Sequence, residues 1–129
     1  AAVEEALRFE PITPFTARIC LEDIVVVDVE FPAGTVVMVS AFNGNRDPAV
    51  VDAPDVFDIT APRATSRIMT FGAGIHYCLG ANLARAELQE ALGFLAEHAS
   101  AVELTGTPEL EPATGIYGVT SLPVRFTAA

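Results

Sequence analysis

The strongest hydrophobic pattern lies in the second half of the chain, where apolar residues recur every three or four positions over residues 82–97. Charged and amide side chains fill the positions between them. This spacing places the apolar residues on one face of an α-helix, so the pattern predicts an amphipathic helix. The face comprises Leu83, Ala84, Leu88, Ala91, Leu92 and Leu95. We interpret it as a packing surface and not as a cofactor site.

A second helical pattern covers residues 1–9, which are rich in Ala, Glu, Leu and Arg. These residue types favour helix, and Pro11 ends it because a proline disfavours helix in the residue before it. Glu5 and Arg8 stand three positions apart, so they share a helix face and can pair. By spacing alone, such a pair is most often a solvated surface contact that adds little stability.

Two β-branched runs follow at residues 24–29 and 35–40. This composition is typical of strands, and the Phe-Pro-Ala-Gly segment between the runs is typical of a connection. We therefore expect both runs to form antiparallel strands of a small sheet within residues 12–42. Beyond this sheet, Asp47 predicts the cap of a short helix that begins at Pro48.

The remaining segments carry weaker signals. Residues 51–70 contain prolines and several Asp without a clear period, which predicts a packed loop. In residues 101–129, Gly and Pro turn signals bound short strands around residues 101–104 and 122–126. Helices and strands in this order predict an α+β fold.

Composition narrows the class of protein. The chain has 129 residues, the size of one domain, and its apolar runs are too short to span a bilayer although hydrophobic residues make up 51%. The net charge is −10 and all seven basic residues are Arg, which argues against nucleic acid or an anionic membrane as a partner. Two cysteines without a disulfide framework indicate a reducing cytoplasm, with Cys20 an ordinary buried thiol.

Because the chain lacks an initial Met and an N-cap residue before its first helix, we expect a fragment of a longer protein.

Residues 71–80, Phe-Gly-Ala-Gly-Ile-His-Tyr-Cys-Leu-Gly, carry the candidate chemistry. Three glycines in ten residues allow backbone angles closed to other residues and let a flat ligand approach the main chain. Cys78 thus stands in a loop at the entrance of the predicted 82–97 helix. The unpaired N–H groups and the positive dipole end of that helix favour a thiolate, which is a nucleophile or a metal ligand.

Three interpretations of Cys78 stay open on the residues alone. A lone cysteine is most often a small buried hydrophobe. A nucleophile would need a placed base, and His76 lies two residues away in a turn where it need not face the sulfur. An axial thiolate ligand to a haem iron needs only one cysteine. Structural zinc is disfavoured because the chain has only two Cys and two His, without metal-ligand spacing.

The loop resembles that of a known family. Phe71, Gly74, Cys78 and Gly80 match the F-x-x-G-x-x-x-C-x-G haem loop of the cytochrome P450 family of haem-thiolate monooxygenases, and His76 stands where bacterial members usually carry His. The resemblance implies that Cys78 is the axial ligand of the iron of haem b. It also implies that Phe71, Gly74 and Gly80 shape the loop and that His76 holds a haem propionate.

The first 20 residues extend the resemblance. Glu5 and Arg8 are similar to the family's E-x-x-R signature, a buried structural pair, which shifts the interpretation of this pair from the surface to the interior. Arg18 matches the position from which family members pair with a haem propionate, and a guanidinium suits a carboxylate bidentately. The segment around it looks like the strand that passes over the haem edge. Further along, family members interrupt the first β-branched run with a tight turn, which Val27 and Asp28 would have to make here.

Later segments add to the resemblance. Residues 45–48 resemble the N-R-D-P of bacterial members, and residues 51–70 look like the family's meander. Val56 stands there near the place of an Arg that completes a triad with the E-x-x-R pair in many members, and Arg63 or Arg67 could substitute for it. Family members contact substrate in two places that correspond to Ile12, Thr13, Pro14 and Phe15 on the haem-edge strand and to Tyr117 and Val119 near a hairpin tip.

The resemblance implies the C-terminal portion of the mainly helical cytochrome P450 fold: an E-x-x-R helix (1–9), a small antiparallel sheet (12–42), a meander (51–70), the haem loop (71–80), a long helix (82–97) and a β tail ending in a hairpin (101–129). It covers roughly the last third of a family chain, without the helix that crosses the oxygen-binding face.

The resemblance also implies an activity. Such enzymes insert one oxygen atom into a C–H bond of a hydrophobic small molecule with electrons from a ferredoxin or flavodoxin. Arg67 and Arg85 are candidate contacts for that donor. The alternative is a truncated haem-domain remnant or binding module without catalysis.

Overall fold

The computed structural model describes residues 1–61, 68–111, 116 and 118–129. A helix, short strands, a loop region, a long helix and terminal strands follow one another, which confirms the predicted α+β class. The elements are α1 (Ala2–Phe9), β1 (Phe15–Ile19), β2 (Ile24–Val26), β3 (Val29–Phe31), β4 (Val36–Ser40), α2 (Ala41–Gly44), α3 (Ala81–His98), β5 (Ala99–Leu104), β6 (Glu109–Leu110), β7 (Val119–Ser121) and β8 (Val124–Ala128). A 3-10 turn, Gly74–His76, lies in the loop before α3.

Two antiparallel strand pairs lie near the N-terminus. β4 pairs antiparallel with β1, so that Phe15 lies opposite Ser40. β2 and β3 pair with each other in a separate hairpin. Both β-branched runs are therefore antiparallel strands, and the chain turns inside the first run, at the position where the family has a tight turn.

The β2–β3 hairpin turns at Val27 and Asp28, whose φ angles are 47° and 66°. Two central residues with positive φ match the twist of a hairpin, and Asn-Gly is the usual choice for them. A β-branched residue in this region carries a cost of about 1–2 kcal/mol. Val27 is 89% exposed, so little packing offsets that cost.

The short helix lies earlier than predicted. Ser40 caps α2, since its hydroxyl accepts a hydrogen bond from the backbone N–H of Asn43 at 3.1 Å. Asp47 accepts from the N–H of Ala49 at 2.9 Å, but residues 48–50 form a turn and not a helix. The prediction of a helix from Pro48 is therefore wrong. The valines and aspartate at residues 50–52 are weak helix formers and do not extend the single turn.

The described chain is held together by a polar centre. The largest fully buried side chains are those of Arg8, Glu5, Asn45 and Pro11. They lie where α1, the end of α2 and the segment before the cysteine loop meet. Large apolar side chains elsewhere are open to solvent, including Ile75 at 96% and Leu79 at 102% exposed. The chain therefore presents much apolar surface around a small buried centre.

The C-terminal strands form two further pairs. β5 follows α3 without an intervening loop and pairs antiparallel with β8. β6 pairs antiparallel with β7. The last strand, β8, therefore returns beside β5 at the C-terminal end of α3.

Candidate functional site

A cavity of about 770 Å³ lies between β1 with the segment before it, the cysteine loop and α3. Its walls are mainly apolar, with a few polar groups that converge on the same space. The lining side chains and loop residues are Leu7, Ile12, Thr13, Thr16, Arg18, Val39, Ala41, Met69, Thr70, Phe71, Gly72, Ala73, His76, Cys78, Ala84, Glu87, Leu88 and Ala91. An apolar cleft with few, convergent polar groups is typical of a small-molecule or cofactor site.

The cysteine loop is closed by backbone hydrogen bonds. The N–H of Cys78 donates to the carbonyl of Phe71 at 2.9 Å, and the N–H of Tyr77 donates to that of Gly74 at 3.1 Å. The carbonyl of Cys78 then accepts from the N–H of Ala81, the first residue of α3, at 3.2 Å. The loop and the helix entrance therefore hold the cysteine from both sides.

Cys78 is an exposed free thiol that lines the cavity, whereas Cys20 is buried. The interpretation of Cys78 as a small buried hydrophobe is therefore wrong, and the same interpretation of Cys20 holds. His76 lines the same cavity from the 3-10 turn. Within the ranges that the structure describes, no group of three or more His, Cys, Asp or Glu could hold a metal ion.

The glycines of the loop have different backbone requirements. Gly74 has a φ of 67° and Gly72 a φ of 72°, a region that L side chains rarely adopt. Gly80 has a φ of −83°, which any residue can adopt, and a Cβ there would lie 3.9 Å from the sulfur of Cys78. The requirement for glycine is thus conformational at Gly72 and Gly74. Gly72 is a constrained position that the motif alone did not single out.

Glu5 and Arg8 form a buried, bidentate ion pair. Arg8 Nε donates to Glu5 Oε2 at 2.8 Å and Arg8 Nη2 to Glu5 Oε1 at 2.8 Å. Their side chains are each 1% exposed, so the surface contact that spacing alone favours is not what forms. Glu5 Oε1 also accepts from the backbone N–H of Asp58 at 2.8 Å, which ties α1 to the meander.

Residues of the meander contact Arg8 through their backbone carbonyls near Val56, the position at which many family members carry an arginine. Arg8 Nη1 donates to the carbonyl of Pro54 at 2.8 Å, and Arg8 Nη2 donates to that of Val56 at 3.0 Å. Carbonyl oxygens, which need no particular side chain, therefore accept the remaining donors of the guanidinium. The candidate substitutes Arg63 and Arg67 lie outside the described residues.

Asn45 is a buried connector that the sequence did not reveal. Its side-chain amide donates to the carbonyl of Arg8 at 3.1 Å and to the hydroxyl of Thr70 at 2.9 Å. Its side-chain oxygen accepts from the N–H of Met69, and the Thr70 hydroxyl donates to the carbonyl of Leu7 at 2.6 Å. The resemblance of residues 45–48 to N-R-D-P pointed to this position but not to its role.

Arg18 reaches the cavity with most of its donors available to a ligand. Among the described residues, its side chain donates one hydrogen bond, from Nη1 to the carbonyl of the adjacent Ala17 at 2.8 Å. A guanidinium has five N–H donors, so a carboxylate entering the cavity can pair with it. The structure therefore brings Arg18, His76 and Cys78 to one space.

The other predicted site residues divide into two groups. Ile12 and Thr13 line the cavity together with Thr16, a residue that the sequence did not indicate. The second group, Pro14, Phe15 and Val119, does not belong to the cavity lining within the described residues. Tyr117 lies outside the described residues.

The apolar face of α3 also lines the cavity. Ala84, Leu88 and Ala91 belong to the predicted apolar face of α3. The face that was predicted for packing thus borders the space that Cys78 also lines. Glu87 lies there too and places a carboxylate in the same wall.

Arg85 is engaged within the chain and is not a free docking contact. Its Nε donates to Glu4 Oε1 at 2.7 Å and its Nη1 donates to the hydroxyl of Tyr77 at 3.2 Å. These hydrogen bonds, first that with Glu4 and then that with Tyr77, raise the pKa of Arg85 above its ordinary value. Only 16% of its side chain is exposed, so its expected role as a contact for an electron donor is not supported. Arg67, the other candidate, is not described.

These residues fit a haem. A flat macrocycle with two carboxylates needs an apolar slot, an axial donor and cationic or hydrogen-bonding groups at its edge. The cavity supplies apolar walls, the exposed thiol of Cys78, and the polar groups of Arg18 and His76. A Cβ added at Gly74 would meet nothing within 4 Å, which leaves the loop open on that side.

Comparison with known proteins assigns the family. The model of the family described as Cytochrome P450 matches residues 1–121. The chain is similar to a luteothin monooxygenase of Streptomyces thioluteus, with 43% identity over 129 residues, which cover 99% of this chain and 32% of that protein. It is also similar to a biotin biosynthesis cytochrome P450 of Bacillus subtilis, with 40% identity over 126 residues, or 97% of this chain and 31% of that protein. This chain belongs to the cytochrome P450 family.

Solved structures agree with this assignment. P450BioI in complex with an acyl carrier protein ligated to hexadec-9Z-enoic acid superposes with a TM-score of 0.89 at 38% identity, over 98% of this chain and 33% of that one. CYP105D6 superposes with a TM-score of 0.90 at 37% identity, over 98% and 33% of the two chains. The present chain thus spans about a third of the length of the relatives it matches. Among the helices that the described residues form, none has the length and apolar character of a bilayer span.

Proposed function

We propose that this chain is the haem-ligating part of a haem-thiolate monooxygenase that oxidises a hydrophobic small molecule. The observation that carries the proposal is the cavity in which an exposed thiol, an imidazole and a guanidinium meet between apolar walls. Membership of the cytochrome P450 family supports it. The luteothin monooxygenase among the relatives supports the reaction class.

Each site residue has a distinct role in this proposal. Cys78 would supply the thiolate ligand to the iron of haem b, and the hydrogen bond from its N–H to the carbonyl of Phe71 closes the loop that carries it. Arg18 and His76 hold the propionates. Gly74 gives the loop its turn, and Gly80 leads it into α3. When bound, a thiolate-ligated haem supplies the cleavage of the O–O bond of dioxygen on which the reaction depends.

The remaining assignments concern the substrate, the electron donor and the cellular location. Ile12 and Thr13 contact the substrate from the cavity wall, and their apolar surroundings favour a hydrophobic molecule. Pro14, Phe15, Tyr117 and Val119 are proposed to complete the pocket with residues outside this chain. A ferredoxin or flavodoxin supplies the electrons. Both cysteines are free thiols, which supports a reducing cytoplasm as the location.

An absorbance measurement tests the proposal. Haem is added to the purified protein, and the spectrum of the reduced, carbon monoxide-bound form is recorded. We expect the red-shifted Soret band of thiolate ligation, its loss in Cys78→Ser, and its retention in Cys20→Ala, because Cys20 is buried away from the cavity lining. Haem binding without this band in the wild-type protein would overturn the ligand assignment. Such a result would favour the alternative of a haem-domain remnant or binding module without catalysis.

A further inference from the structure

An ion pair lies directly behind the cysteine loop. Arg85 on α3 pairs with Glu4 on α1 through N···O distances of 2.7 and 3.4 Å. The guanidinium carbon of Arg85 also lies 4.7 Å from the centre of the Phe71 ring, and Nη1 donates to the Tyr77 hydroxyl. One side chain thus contacts both aromatic residues of the loop and the first helix.

This pair is shielded from solvent and from the cavity. The side chains of Arg85 and Glu4 are 16% and 15% exposed. Within the described residues, neither belongs to the cavity lining, whereas Phe71 does. Shielding reduces screening by water and salt, so the charges act on their surroundings more strongly than surface charges do.

Contacts connect Arg85 to the loop that carries the proposed iron ligand. Phe71 contacts Arg85 and also lines the cavity, and its carbonyl accepts the hydrogen bond from the N–H of Cys78 at 2.9 Å. Tyr77 directly precedes Cys78, and its ring meets that of Phe71 edge-on at 6.5 Å. A cation held against this aromatic pair favours additional negative charge at the sulfur and at whatever the sulfur ligates.

We propose that Arg85 and Glu4 are positioning residues that act with opposite signs, through Phe71 and Tyr77, on the reduction potential of a haem ligated by Cys78. The inference rests on the proposed function. Reduction adds one electron, supplied by a donor of the ferredoxin or flavodoxin class, and neither forms nor breaks a bond in the chain. Arg85 favours the reduced form because it attracts the added negative charge, and Glu4 opposes it. The two effects largely cancel while the pair is intact, so the loss of either charge alone shifts the potential.

Charge-changing variants separate this role from simple packing. The one-electron reduction potential of the haem-loaded protein is measured for Arg85→Met, Glu4→Gln and the double variant, each after the thiolate band has been recorded. We expect Arg85→Met to lower the potential and Glu4→Gln to raise it, each by up to about a tenfold change in the reduction constant, or about 59 mV. The double variant returns close to the wild-type value, because both charges are then absent.

A conservative variant supplies the control. Arg85→Lys keeps the charge but loses the planar fork, so we expect lower stability with a nearly unchanged potential. If Arg85→Met fails to fold, the reduction potentials of Glu4→Gln and Arg85→Lys still test the proposal. Only Glu4→Gln changes a charge, so only Glu4→Gln should shift the potential. Potentials that move in the same direction in Arg85→Met and Glu4→Gln, or that do not move while the thiolate band is present, would overturn this inference alone. Absence of the band in the wild-type protein would overturn the proposed function and this inference with it.

Discussion

The side-chain amide of Asn45 donates a hydrogen bond to the hydroxyl of Thr70, 25 residues further along the chain, at 2.9 Å. The same amide donates to the carbonyl of Arg8, in the last turn of α1. Because Thr70 immediately precedes Phe71, this one side chain couples the E-x-x-R helix to the start of the cysteine loop. Asn45 is 1% exposed, so water does not compete for these bonds.

Replacement of Asn45 by Ala should therefore destabilise the protein. It leaves the N–H of Met69 and the carbonyl of Arg8 without the partner they have now, which costs about 2–4 kcal/mol in the free energy of unfolding. Urea unfolding of Asn45→Ala measures this loss. Asn43→Ala is the matched control, because Asn43 is exposed and should change stability by less than about 0.5 kcal/mol. Equal effects in the two variants would contradict the role assigned to Asn45.

The sequence predicted the elements and the loop better than their contacts. Helical spacing and the turn signals are local, so α1, α3 and the loop around Cys78 could be recognised from neighbouring residues. Strand pairing is not local: β1 pairs with β4 across the β2–β3 hairpin, and the turn at Val27 was expected only from the family resemblance, because a valine carries no turn signal of its own. Asn45 could not be assigned either, since its partners lie on separate segments whose approach depends on the whole fold.

Arg18 should matter for haem binding more than other arginines. Arg18→Gln removes a charged donor that lines the cavity, and a hydrogen bond to a charged group contributes about 1.5–3 kcal/mol. We therefore expect haem affinity to fall by roughly tenfold or more. Titration of the protein with haem, followed at the Soret band, measures the change. Arg125→Gln on β8 loses the same charge outside the described cavity lining and should bind haem as the wild type does. A similar loss in both would point to net charge and not to a propionate contact.

The loop glycines should respond unequally to substitution by alanine. Gly74→Ala forces a side chain into a φ of 67° and should cost about 1–2 kcal/mol of folding free energy. Gly80→Ala keeps an ordinary φ and makes only van der Waals contact with the sulfur of Cys78, so it should cost less than about 1 kcal/mol. Thermal unfolding of the two variants under the same conditions gives the comparison.

Gly93 supplies a control of opposite sign for the glycine series. It lies within α3, and a Cβ there would meet nothing within 4 Å. Gly93→Ala should therefore stabilise the protein by about 0.5–1 kcal/mol, because alanine loses less backbone entropy in a helix. If Gly80→Ala proved as costly as Gly74→Ala, a contact beyond the local backbone angle would have to be responsible.

The β2–β3 turn offers a stabilising substitution. Asn tolerates the positive φ that Val27 adopts, so Val27→Asn should raise the free energy of unfolding by about 1 kcal/mol. Val25→Asn is the control, since Val25 is also exposed but occupies a strand position, where replacing a β-branched residue should reduce stability. Urea unfolding of both variants distinguishes relief of backbone strain from a general effect of polarity. A loss of stability in Val27→Asn would contradict the assignment of strain to this turn.

The bonds that fix the loop close very long stretches of chain. The hydroxyl of Thr70 reaches Leu7 across 63 residues, and Arg85 reaches Glu4 across 81. Closing loops of this size costs conformational entropy, so we expect these bonds to form late in folding. The cavity needs both ends of this stretch, because Leu7 lines it from α1 and Leu88 lines it from α3. A polypeptide that is still emerging from the ribosome with α1 but without α3 therefore lacks one wall of the cavity that would receive a cofactor.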